Sequence, residues 1–258
     1  MDGPPDPNQF WAKLTYKDDD PSTGEIVAWH PLLAHSADVA AVTEALLQRT
    51  ILRDRLASLI GWDILSDVHV ARLSALAALH DAGKVNHGFQ NRAFDETPTA
   101  DHLTPMVGVY NASAPMEYLG PFGIAEMQDW AYDLDALGHL LLATFGHHGE
   151  PVTPGRHDPM LWETTETRDP KDKLAALSDA VHRWFRKAFT EDARPFPTDP
   201  ALQHAFNGLL TLADWIGSDE AFFPFADTLE APMDRARSRA TDAVEALFLD
   251  ADRPRRSL

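Results

Sequence analysis

The chain has 258 residues, a net charge of −18 from 22 Lys+Arg against 40 Asp+Glu, twelve histidines and no cysteine. A chain this long buries a full core without covalent staples, and the lack of cysteine excludes a disulfide scaffold, a zinc–thiolate site, an iron–sulfur cluster and a cysteine nucleophile. The acidic balance argues against a surface that captures nucleic acid by charge alone. No apolar run approaches the ~18 residues of a membrane span, and Met1–Asp6 carries neither the basic nor the apolar region of a secretory signal, so a cytoplasmic protein with no membrane attachment is the expectation.

In chain order, residues 1–9 read as a loose lead-in and Asp18–Gly24 as a turn. From Pro31, a residue suited to a first helical position, Leu32, Leu33, Val39, Val42, Leu46 and Leu47 recur at helical spacing. A second helix is predicted over 51–60, closed by Gly61. A third is predicted over 66–82, with Ser66 as N-cap, Asp67 in its first turn, and Gly83 as the residue that ends it; His80 would share its apolar face. A short helix is expected over 102–112, and a long amphipathic one over 125–145, closed by Gly146. Residues 149–170, rich in proline and glycine, read as a surface excursion. Helices follow at 171–189, 200–216 and 232–249. No stretch alternates with period two for long. The expectation is one all-α domain over residues 1–250, with 251–258, polar and carrying three arginines, as a tail or linker.

Five groups carry chemistry: His35, His80-Asp81, His102, His147-His148 and Asp214. Each lies in or beside an apolar helical run, where an unpartnered imidazole or carboxylate costs about 1–3 kcal/mol or more. Groups so placed are expected to satisfy one another or share an ion. Imidazole and carboxylate without thiolate suit Mn, Fe, Co, Ni or Zn. Seven groups exceed what one ion uses; a carboxylate can bridge two ions and a neutral imidazole cannot, which makes Asp81 the natural bridge. Two ions about 3.5–4 Å apart can activate a water and stabilise both oxygens of a phosphodiester displacement.

The strings Phe10-Trp11-Ala12-Lys13, Trp29-His30-Pro31-Leu32-Leu33-Ala34-His35, Leu79-His80-Asp81-Ala82-Gly83-Lys84, Phe89-Gln90, His147-His148-Gly149 and Ala213-Asp214-Trp215-Ile216-Gly217 follow in that order. The set resembles the HD-type nuclease domain of the CRISPR-associated helicase-nuclease of type I interference systems, over about residues 10–225. The resemblance implies an HD-superfamily helical bundle around two divalent transition-metal ions, Mn, Fe, Co or Ni, with Mg also compatible. His35, His80, Asp81 and Asp214 would hold one ion, and Asp81, His102, His147 and His148 the other. It further implies endo- and exonucleolytic cleavage of single-stranded DNA, a helicase subunit or domain as partner, and recruitment by an RNA-guided surveillance complex.

Two departures stand beside it. The chain stops where a helicase would begin and has no Gly-Lys-Ser/Thr phosphate loop, so no ATP site is expected in it; it reads as a stand-alone subunit or an excised domain. The arm between His-Asp and His-His is not fixed by a tight motif. His87 follows His80 too closely, while His102, which opens a helix after a loop, and His139, two turns before His147, stay open, with His102 favoured. Lys84 is a candidate catalytic residue beside Asp81, placed to contact a phosphate as a point charge. His30 is expected to cap or pack, His69, His157, His182 and His204 to lie on the surface or serve the fold, and Trp11, Phe89 and Trp215 to belong to the core. An HD phosphohydrolase acting on nucleotides, or a catalytically silent docking module, is the alternative reading of the same residues.

Overall fold

A computed structural model describes residues 1–149, 155–226, 228–247 and 249. Eleven α-helices and a two-stranded hairpin make up its regular elements among these residues, with short 3-10 turns between them. The hairpin joins β1 (Trp11–Tyr16) to β2 (Ile26–Pro31), antiparallel, with Lys13 opposite His30 and Leu14 opposite Trp29. It departs from the expectation of helices alone: a register shift between Trp11 and Lys13 spoils the alternation that would have announced a strand.

The helices are α1 (Leu32–Arg49), α2 (Leu52–Leu59), α3 (Asp67–Ala78), α4 (His87–Gln90), α5 (Leu103–Gly108), α6 (Met116–Leu119), α7 (Leu134–Phe145), α8 (Pro170–Trp184), α9 (Arg186–Thr190), α10 (Pro200–Ser218) and α11 (Pro232–Ala246). At the centre stands α1, with fourteen of its eighteen residues buried, as befits a helix that is apolar on nearly every side. It packs against α3, α10 and α11. Its alanines, with Ala71, Ala75, Ala77 and Ala78 of α3, keep the side chains at these interfaces small. The crossing with α10 is tightest at Gly217, where an added Cβ would stand 3.2 Å from Val39. One turn from that crossing lie His35 on α1 and Asp214 on α10, so helix packing itself brings those two groups together. The main core draws on residues from Phe10 to Val244, beside a small second cluster.

Several predicted boundaries move. Helix α3 starts as expected, its Ser66 side chain accepting from the His69 backbone N–H and His69 Nδ1 facing the Ser66 backbone N–H at 2.9 Å. It ends at Ala78, before His80 and Asp81, which sit in the turn that follows. The expected helix over 125–145 is a 3-10 stretch, Ile124–Trp130, then an extended break at Ala131–Asp133 where Asp133 caps α7. The expected helix over 171–189 kinks at Phe185, and that over 102–112 gives way to a 3-10 turn after Gly108.

The lead-in is not loose. Because the outer edge of β2 offers unpaired backbone groups, Gly3 N–H donates to the Val27 carbonyl at 2.8 Å and Trp29 N–H to the Met1 carbonyl at 3.0 Å; the terminal amine of Met1 also donates to the Ala226 carbonyl at 3.1 Å. The 149–170 stretch also does more than skirt the surface. Leu161 and Trp162 are buried, and the guanidinium of Arg168, itself buried, donates to Asn91 Oδ1 and Glu96 Oε2. The parts of these expectations that fall on 150–154 and on the 251–258 tail lie outside the described residues. No described helix is long and apolar enough to cross a membrane.

Candidate metal centre

Asp81 sits in the turn after α3, 1% exposed, with its two oxygens facing different ways. Oδ2 stands 3.2 Å from His35 Nε2 and 3.3 Å from His80 Nε2. The same two nitrogens lie 3.4 and 3.7 Å from Asp214 Oδ1. Oδ1 faces the other way, 3.3 Å from His102 Nε2 and 3.7 Å from His147 Nε2. The His148 ring, exposed, packs 5.0 Å from His102 and 4.5 Å from His147, centroid to centroid. The structure therefore brings together all seven predicted ligands, His35, His80, Asp81, His102, His147, His148 and Asp214.

Two ligand atoms held about 2.1 Å from one cation stand roughly 3.0 Å apart in an octahedral site and roughly 3.4 Å apart in a tetrahedral one. Most of the separations around Asp81 fall near those values. His35–His80–Asp214, His80–Asp81–His147 and His102–His147–His148 each present ligand atoms within 4.8 Å of one another. Among protein groups, His80 Nε2, His102 Nε2 and Asp81 Oδ1 are buried without a hydrogen-bond partner, while Asp81 Oδ2 is ion-paired with Lys84. Orphans of this kind are costly in a core, and a shared cation satisfies all of them, so the donor set fits divalent metal.

Ring orientation is already set on two arms. His80 Nδ1 donates to the Ala77 carbonyl at 2.8 Å, and His147 Nδ1 to the Thr144 carbonyl at 3.2 Å. A carbonyl can only accept, so each Nδ1 carries a proton and each Nε2 is turned toward Asp81. Helix α10 steadies the end of α7: Asn207 Nδ2 donates to the Ala143 carbonyl at 2.7 Å and Thr211 Oγ1 to the His147 carbonyl at 2.6 Å. Ser218 Oγ donates to Asp214 Oδ1 at 3.0 Å.

Charge within the cluster divides sharply. Burial pushes His102 down to about 4 and His147 down to about 3, so both are neutral at pH 7. Burial opposes charge on His80 as well, but the carboxylates of Asp81 and Asp214 override it and raise His80 to about 9. Burial likewise works against ionising Asp81 and Asp214. Lys84 and His80 outweigh it at Asp81, and His35 and His80 at Asp214, so both carboxyl groups fall below their ordinary range.

Lys84 is buried, its Nζ against Asp81 Oδ2 at 2.5 Å and 3.2 Å from the Ala12 carbonyl. It is committed to the Asp81 carboxylate. Lys13, on β1, belongs to the same field: burial lowers it to about 8 against the pull of Asp214, with Lys84 lowering it further. The sequence carried it only inside the Phe10–Lys13 string.

The remaining candidates separate. His139 is exposed, and His87 Nε2 is bound to the Glu163 carbonyl at 2.6 Å, so of the three it is His102 that faces Asp81. His30 pairs with Asp38 at 2.8 Å, and its Nδ1 accepts from the Ala226 N–H. His157 rests on Tyr118, His182 stacks on Phe189 and His204 is exposed. Trp11 and Phe89 form a small buried cluster with Trp29. Trp215 does not belong to the core. It is 71% exposed, because α10 turns Ala213 and Ile216 inward and leaves 215 on the outer side.

A family model described as Cas3, HD domain, matches residues 11–223. A curated relative, the CRISPR-associated endonuclease/helicase Cas3 of Thermus thermophilus, is 27% identical over 215 residues, 76% of this chain. The chain spans 22% of that relative's length. Among solved structures, the Thermus thermophilus Cas3 HD domain in the presence of Ni2+ superposes with a TM-score of 0.54 at 26% identity, over 84% of this chain and 85% of the other. T. fusca Cas3 superposes with a TM-score of 0.62 at 22% identity, over 96% of this chain and 28% of the other, a likeness of fold.

Proposed function

The chain belongs to the Cas3 HD-domain family, an HD helical fold of CRISPR nucleases, and from that premise we propose that it is a two-metal nuclease that hydrolyses phosphodiester bonds of single-stranded DNA and works with a helicase. The observation that carries the reading is the division of Asp81: Oδ2 faces His35 and His80, and Oδ1 faces His102 and His147. On this reading His35, His80, Asp81 and Asp214 hold one ion, and Asp81, His102, His147 and His148 the other. When bound, the pair supplies water activation and charge neutralisation at the attacking and leaving oxygens.

The chain's own groups do the rest. Nδ1–H bonds hold His80 and His147 in the ligating tautomer. Lys84 compensates the buried charge of Asp81; reaching a phosphate would require it to leave that carboxylate, as a point charge on a flexible stem is able to do. A protein nucleophile has no part in this reading. Because the ions meet phosphate rather than base edges, sequence preference is weak. At −18 the surface repels DNA, so delivery of a strand by the helicase and by an RNA-guided surveillance complex raises its local concentration. Mn, Fe, Co or Ni suits the nitrogen-rich donor set. The Cas3 HD domain of Thermus thermophilus was solved with Ni2+ present, which supports that class of ion.

The test is digestion of a circular single-stranded DNA, which has no free end. The protein is stripped with a chelator and then given Mn2+, Ni2+, Co2+ or Mg2+. Metal-restored cleavage of the circle is expected. Hydrolysis of free nucleotides with the circle left intact would favour the nucleotide phosphohydrolase, and binding of a helicase with no hydrolysis of either would favour a docking module.

A further inference from the structure

Residues Asp101 and His102 come from a loop before α5, yet His102 reaches Asp81 Oδ1 at 3.3 Å. The segment that follows the His-Asp pair explains how. An added Cβ on Gly83 would overlap the His102 carbonyl oxygen outright and stand 2.9 Å from Met106 Cβ. On Gly88 it would stand 2.5 Å from Ala100 Cβ and 2.7 Å from the Ala100 nitrogen. Between these two gaps lies Asn86, fully buried. Its Nδ2 donates to the Asp101 carbonyl at 2.9 Å and to the Gly83 carbonyl at 2.7 Å, and its Oδ1 accepts from the Phe89 N–H at 2.9 Å. Every hydrogen-bonding site of that amide except one oxygen lone pair is thus filled, two within its own turn and one that ties that turn to Asp101.

We propose that Gly83, Asn86 and Gly88 form a cradle that seats residues 100–102 and so positions His102 for the second ion alone. The proposal rests on the two-ion reading above. None of the three touches an ion, so they are positioning residues. The other arms reach Asp81 without them: His35 and Asp214 on α1 and α10, His147 at the end of α7.

Outer residues that orient metal ligands typically change affinity by roughly 10–100-fold, and the cradle is expected to do so for one ion only. Chelator-stripped protein is titrated with Mn2+, and electron paramagnetic resonance distinguishes isolated from spin-coupled ions. The wild type binds two. Asn86→Ala and Gly88→Ala each weaken the second Mn2+ by about 10-fold or more, leave the first within threefold, and replace the coupled signal by an isolated one at limiting metal. Adding Asn86→Ala to His102→Ala weakens the second ion no further than His102→Ala does, because the cradle acts only through that imidazole.

A wild type that binds a single Mn2+ would overturn the two-ion reading, and the proposal with it. A wild type that binds two, beside variants that keep both at unchanged affinity, would overturn the cradle alone. Equal loss of both ions in both variants would also overturn it, since the three residues would then be general scaffolding.

Discussion

His35 and Asp214 approach Asp81 from within two long helices that cross at Gly217, His35 in the first turn of α1 and Asp214 near the end of α10, whereas His102 and His147 flank helices, one just before α5 and one just past α7. His35 and His80 are each 1% exposed, while His148 lies at the surface, at the edge of the described residues. The inner half is placed by core packing, and moving it would mean repacking α1 against α10. The outer half is placed by hydrogen bonds from Asn86, Asn207 and Thr211 to backbone carbonyls. The difference teaches that one cluster can draw half of its geometry from the fold and half from local polar brackets. On the two-ion reading proposed above, the inner site is the tighter and the outer site the adjustable one.

Replacing the group common to both halves should erase the contrast. Asp81→Asn is expected to lose both ions and about 10³-fold or more in cleavage, read by metal content after dialysis and by initial rates. Retention of one tightly held ion would mean that Asp81 is not shared.

Breaking the halves separately should split the effects. His35→Ala is expected to lower affinity for the inner ion on the order of 100-fold, and His148→Ala to lower the outer by about 10-fold, both followed by Mn2+ titration. The reverse order would show that burial does not set the ranking.

The pH dependence of the metal-free protein has two arms. His102 and His147 lie below their ordinary 6.5 in the folded protein, near 4 and 3. The unfolded chain takes up their protons first, so stability is full above about 6.5 and is lost as pH falls toward 3. His80 has the opposite sign. Raised to about 9, it contributes fully below about 6.5, and that contribution is lost as pH rises through 9. Thermal unfolding of chelator-treated protein should therefore peak between these arms; a flat profile from pH 4 to 9 would contradict the assignment.

The smallest effect is expected at Trp215, beside Asp214 but 71% exposed. Trp215→Ala should change unfolding free energy by no more than about 0.5 kcal/mol, against about 3–5 kcal/mol for Trp130→Ala in the core. A large loss at 215 would mean that this side of α10 is covered.

Much of this was legible in the sequence because it is local. Leu32–Leu47 and Ser66–Ala78 carry helical spacing, the second with a cap residue of its own, and the ordered His, His-Asp, His-His and Asp strings name most of the side chains that the fold gathers around Asp81. What was hidden depends on partners far along the chain. The hairpin was missed because its strands are short and bulged. Gly83 read as a helix terminator, whereas its reason lies in the His102 backbone. Sequence favours His102 over His139 only by its place after a loop; folding turns His139 to solvent and His102 to Asp81. Trp215 looked like core because it sits in an apolar run, and only the rotation of α10 decides otherwise.

The most direct measurement is anomalous diffraction from crystals of this protein grown with Mn2+. The account predicts two peaks about 3.5–4 Å apart, one on either oxygen of Asp81. A single peak, or peaks that leave one oxygen of Asp81 without a cation, would contradict it.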